Sequence, residues 1–442
     1  TGNYNTALGV NALGANTTGA QNVSIGVNAL DANTTTNDNT CVGYNALSAN
    51  TAAENTAFGS NSAVTNTTGT KNVSVGAWSL RYNTTGNYNT AIGYQALNAN
   101  TTSSNNTAVG YNALQAATST GDRNTAVGSE ALEVATTAQK NTALGYQALH
   151  AATTGGDNTA IGAYALLVNT TGGSNIAIGQ GSLESNTTAS WNVAIGVGCL
   201  QSNTTGDKNI AIGYAALDAI TTASYCTAIG YNALTANTAG NQTAVGRLAL
   251  ENNTTGYENT AVGALALQDN TTGGSCVAVG VNALSSNTTA TENTAVGHQA
   301  LYLNTTGYHN TAVGRDALRA NTTANSNTAI GRYCMGVNTT GANNTAVGQS
   351  ALSNNTTADN NVAVGMAALN DNTTGTRNTA IGTYALDANT TQSDNTAIGY
   401  DACGAANGAG QLAAVGGYAL SDVTTGNRNT ALGYYAGKTI TT

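Results

Sequence analysis

The chain has 442 residues, no proline, and a net charge of −9 carried by only 7% charged residues. Charge this sparse argues against a solvated disordered chain and denies a helical array the Glu and Lys its wet faces would need. With no basic stripe, nucleic acid is not an expected partner; with no apolar run near the ~20 residues of a membrane-crossing helix, membrane insertion is not expected either.

One unit recurs from end to end. Taking the glycine of each "NTAxG" as position zero, these glycines run from Gly9, Gly26 and Gly43 to Gly433, 26 in all, and 22 of the 25 spacings are 17 residues. A short fixed period without a linker is the signature of a stacked array, so residues 1–442 read as a single continuous repeat array.

Within a unit the first element is a strand. Position −4 is Asn in 22 of 26 units, −3 is β-branched except at Ala413, −2 is always small and −1 is always apolar, as in Ile92 and Ile178. This short, β-branched run ends at glycine. A second strand is expected next, with Ala at +3 in 21 units and Leu at +4 in 22, among them Leu97 and Leu183. An "NTTG" or "NTTA" turn closes the unit. The expected fold is therefore all-β: a parallel β-solenoid (β-roll) of 26 rungs of about 17 residues. At a rung spacing of ~4.8 Å it would form a rod of roughly 120 Å. Gly and Ala alternate at +10 from Gly273 to Gly375, which leaves open a coil of 34 residues per turn.

Stacking explains the strictness of the pattern, because each residue lies on its own copy in the next rung. Asn suits such a ladder, since its amide both donates and accepts. The seven replacements of Asn at +7 are all apolar (Ala117, Ala135, Ala152, Ile220, Ala406, Val423, Ile440), which points this Asn inward. Position +1 varies freely and carries Tyr94, Tyr111, Tyr214 and Tyr231, an expected exposed row.

Ile92, Leu97, Ile178 and Leu183 are the expected core ladder. Side chains alternate along a strand. If −1 fills the coil, −2 faces out, yet it never carries charge; Ala177, Ala194 and Ala211 are then candidate contacts between chains. Strands apolar on both faces are covered on both faces, so a homotrimer or an end-to-end polymer of this chain is the expected assembly. A corner at −2 is the alternative.

The "N-T-A-[VI]-G" element resembles the head repeat of YadA-like trimeric autotransporter adhesins, and the longer "NTAIGYQALxxNTTG" pattern resembles repeats of phage tail-fibre-type proteins. The resemblance implies a trimeric, parallel, left-handed β-roll serving as a stiff rod for adhesion, outside the cell or on a virion. The period here is longer and the turn differs, and the 442 residues contain no coiled-coil stalk or anchor. The attachment point and the receptor therefore stay open. The chain starts at Thr1 with no Met and no signal peptide, as expected of a processed product or a segment of a longer protein.

Catalysis is not expected. His150, His298 and His309 occupy variable positions with no partner at ligand spacing, and the carboxylates, such as Glu130 and Glu133, share no fixed position. No phosphate loop, nucleophile elbow or HExxH is present. We therefore expect no catalytic, cofactor or metal residue. The six cysteines each replace a packed residue, and buried thiols are expected. A bridge between chains at Cys41 remains open if position −2 lines a shared axis. Seventeen "NTT" sequences are formal glycosylation sequons that the turn already explains. A structural or adhesive extracellular fibre is the expected function; the alternative is a binding module for glycans or ice that uses exposed Tyr and Thr rows.

Overall fold

The computed structural model describes residues 2–117 and 121–440. The described residues contain 26 strands of three residues and no helix, so none is long and apolar enough to cross a membrane. Two compact units divide the chain at Tyr225/Cys226. Each is a parallel β-solenoid with one strand per rung. The strands run from Thr6–Leu8 to Ile210–Ile212 in the first unit and from Thr227–Ile229 to Thr430–Leu432 in the second.

Strand register fixes the coil. Thr6 pairs with Val23, Ala7 with Ser24 and Leu8 with Ile25, and the same 17-residue offset links Thr311, Ala312 and Val313 to Thr328, Ala329 and Ile330. Each turn of the coil is thus one repeat, and the 34-residue coil is not formed. The 16- and 18-residue units are absorbed outside the strands: Thr40 still pairs with Thr56, and Thr107 with Thr125.

The expected second strand is absent. From the glycine onward the backbone makes overlapping turns, with Ala12 N–H donating to Gly9 O at 3.3 Å, Gly14 to Asn11 at 3.2 Å and Asn16 to Leu13 at 3.2 Å. The intervening amides reach neighbouring rungs, as Leu13 N–H does to Ala29 O at 2.9 Å and Ala15 N–H to Asp31 O at 3.0 Å. This geometry places alternate residues, such as Asn11 and Leu13, both at φ +55°, in the left-handed region. The cost is ~1–2 kcal/mol for each such residue. Full burial of a leucine side chain, worth about 1.5–3 kcal/mol, offsets it. The alternation also turns +3 and +4 inward together, which two neighbours on a strand cannot do: Ala29 and Leu30 both have 0% exposure.

The strand itself points opposite to the sequence expectation. Ala177, Ala194 and Ala211 lie inside the coil at 0% exposure, with Leu97 and Leu183. Ile92 is 39% exposed and Ile178 half-buried, so neither belongs to the core ladder. The cause is width: a 17-residue coil has room for a leucine only where a methyl group faces it. Serine substitutions trace the same interior. Ser74 at −2 bonds Ser79 Oγ at +3 (2.6 Å) and accepts from Ser62 Oγ of the rung before (2.8 Å). Because −2 is enclosed, the three alanines cannot contact another chain, and neither can Cys41, also at 0% exposure.

Two buried asparagine ladders close the coil. At +7, Asn83 donates to Asn66 Oδ1 at 2.6 Å and to Gly86 O of its own rung at 3.0 Å; Asn100 repeats both bonds. At −4, Asn22 Oδ1 accepts the backbone N–H of Asn39 at 3.0 Å, and Asn39 Oδ1 that of Asn55 at 3.0 Å. Each buried amide therefore satisfies backbone groups that a tight coil would otherwise strand, which is why so few residue types are accepted there.

Candidate functional surfaces

Three surfaces stand out among the described residues. The first is the strand face. Positions −3 and −1 both point outward, giving parallel rows of β-branched and aliphatic side chains one rung apart. Ile176 is 39% exposed and Ile195 36%, although each has a neighbour above and below, and Ile210 is 38% exposed beside Val193. No charged residue occurs at −3 or −1 in any repeat. Threonine occupies −3 in 18 of the 26 units. The turn threonines differ: the Oγ1 of Thr84 donates to Thr101 O at 3.0 Å and that of Thr187 to Thr204 O at 3.1 Å. The flat threonine row is therefore the strand row, not the turn.

Aromatic columns form the second surface. Tyr94 and Tyr111 are exposed and stack with centroids 5.7 Å apart, with Trp78 5.3 Å from Tyr94. Tyr214 and Tyr231 are also more than half exposed, in the first and second units respectively. Another column in the second unit links Tyr384, Tyr400, Tyr418 and Tyr435. Beside it Asp387 is pushed up to about 6, first by burial and then by the charge of Asp401.

At the third surface, position +12, side chains one rung apart pair across the stack. Arg377 forks onto Asp394 at 2.7 and 2.8 Å, and Lys208 lies over the rings of Tyr225 and Trp191 at 5.0 and 5.6 Å. Exposed pairs of this kind contribute little stability. A polar depression of about 680 Å³ beside this row is lined by Ser393, Asp394, Gln411 and Arg428 among others.

Stacking gives two histidines the acidic partners that the sequence reading denied them. His150 Nε2 lies 2.9 Å from Glu133 Oε2, and His309 Nε2 lies 3.1 Å from Glu292 Oε2. Both pairs are 17 residues apart, so the repeat period, applied to the charged residues, would have found them.

All six cysteines are free and buried. Burial pushes the Cys41 and Cys276 thiols up to about 11 and those of Cys334 and Cys403 to about 12. The reactive thiolate is thus scarce at neutral pH. Iodoacetamide at pH 8 should leave the folded chain unlabelled within minutes and add six carbamidomethyl groups after denaturation, read by intact mass. Rapid labelling of any of these four in the folded chain would contradict the enclosed interior.

Backbone and burial together define a β-solenoid repeat protein. No protein-family model matches the chain, and no curated protein matches its sequence.

Proposed function

We propose that this chain is the subunit of an extracellular structural or adhesive fibre, and that its strand face packs against copies of itself. One observation carries the reading: an uncharged outward row at −1 that stays apolar through all 26 repeats. Covering the exposed two-fifths of an isoleucine gains about 1 kcal/mol. The 13 rungs of one unit then offer on the order of 10 kcal/mol, enough to meet association costs of ~4–15 kcal/mol once the −3 row adds its share. A second copy is the favoured occupant because only a surface with the same rung spacing stays in register along the row. A parallel homotrimer is the arrangement that the sequence resemblance implies. Exposed aromatic columns around Tyr94 and Tyr418 would then face outward, where stacking on a glycan receptor would supply adhesion.

Sedimentation velocity of the full chain tests this. The unmodified protein should sediment as an oligomer at micromolar concentration. Ile178→Lys with Ile212→Lys should give a monomer with an unchanged circular dichroism spectrum. An unmodified monomer, or a double variant that stays assembled, would overturn the proposal. The threonine row on the same flat face favours a second reading, ice binding. Thermal hysteresis from a monomeric chain, abolished by the same two lysines, would assign the face to ice instead.

A further inference from the structure

The structure assigns a divalent transition-metal site, of the kind that takes zinc, to Glu130, Glu133 and His150 in the first unit. Their ligand atoms all lie within 4.8 Å of one another, and all three residues are half-buried. The side chains of Glu133 and His150 retain 20% and 28% of their exposure. An imidazole with two carboxylates is a borderline donor set that suits zinc better than calcium, which prefers oxygen alone. Donors around zinc sit about 2.0–2.2 Å from the ion. Small side-chain rotations suffice to gather three atoms already this close.

The surroundings fit a cation. Among the described residues no Lys or Arg forms an ion pair with Glu130 or Glu133. Two carboxylates therefore face one histidine without a fixed positive charge. Outer contacts hold the ligands in place: Gln147 Nε2 donates to Glu130 Oε2 at 2.6 Å, and Asn112 Nδ2 to Glu133 Oε1 at 3.1 Å. Such contacts orient metal ligands and leave their remaining lone pairs for the ion. The backbone beneath is fixed by the ladder, with Glu130 N–H on Tyr111 O at 2.8 Å and Val134 N–H on His150 O at 3.0 Å. Glu133 and His150 belong to successive rungs, so a bound ion would cross-link the stack and leave an open position for water.

The test is titration of the tag-free full chain with zinc, followed by calorimetry, and with cobalt, followed by its visible absorption. One ion per chain is expected, with a rise in the melting temperature on binding. Glu130→Gln, nearly isosteric, and His150→Ala should each weaken binding at least tenfold while the circular dichroism spectrum stays unchanged. His309→Ala, which removes a histidine paired with a single glutamate, should bind as the unmodified chain does. Absence of one-to-one binding in the unmodified chain, or binding that survives both Glu130→Gln and His150→Ala, would overturn the assignment.

Discussion

Ala177→Glu will dismantle the rungs around it and expose the chain to protease, whereas Ile178→Glu will leave the coil folded. Ala177 is fully enclosed in strand Ile176–Ile178, stacked between Ala160 and Ala194. A glutamate there brings four more heavy atoms and a charge into a space sized for a methyl group, with no counter-charge among the alanines and leucines that line it. Unpaired buried charge and overpacking are both among the few mechanisms that cost about 4 kcal/mol or more. In a solenoid that cost falls on the altered rung and its neighbours, because each rung is held mainly by the next. Limited proteolysis with mapped cleavage sites should therefore find new cuts near Ala177 in the alanine variant and none in the isoleucine variant. The opposite pattern would restore the orientation in which −1 fills the coil.

Gly314→Ala should be strongly damaging although it adds no polar group. Gly314 has φ +133°, a conformation that L side chains rarely adopt. A Cβ built on it would lie 2.6 Å from the carbonyl oxygen of Gly331 and 2.7 Å from its carbon, both backbone atoms of the next rung that cannot rotate away. Backbone strain of order 1–3 kcal/mol adds to an overpacking cost of about 1–3 kcal/mol. The rungs would have to part by more than a strand ladder tolerates. Hydrogen exchange should lose protection at the amides of Thr328–Ile330, the strand paired directly above Thr311–Val313. Ala317→Gly in the same rung, which only removes a buried methyl group, serves as the control and should cost far less. Equal protection in the two variants would show that rung spacing does not require glycine.

The sequence by itself determined the repeat, the parallel stacking and the place of the strand. A stacked rung makes each residue answer to its own copy, so the 17-residue period and the uniform Asn, Ala and Leu positions carry that information directly. Inward-facing asparagine at +7 was legible from its apolar replacements, and the exposure of Tyr94 and Tyr111 from the variability of +1. Only the tertiary structure decided which way the strand faces. Alternation says that Ala177 and Ile178 point to opposite sides but not which side is inside; the width of the closed coil selects the methyl group. Only the structure replaced the second strand by alternating left-handed turns, because local sequence favours a strand at Ala and Leu as readily as a turn that must close a narrow coil. The Glu130, Glu133 and His150 cluster was hidden for a related reason. Its members look scattered along the chain and meet only when one rung is laid upon the next.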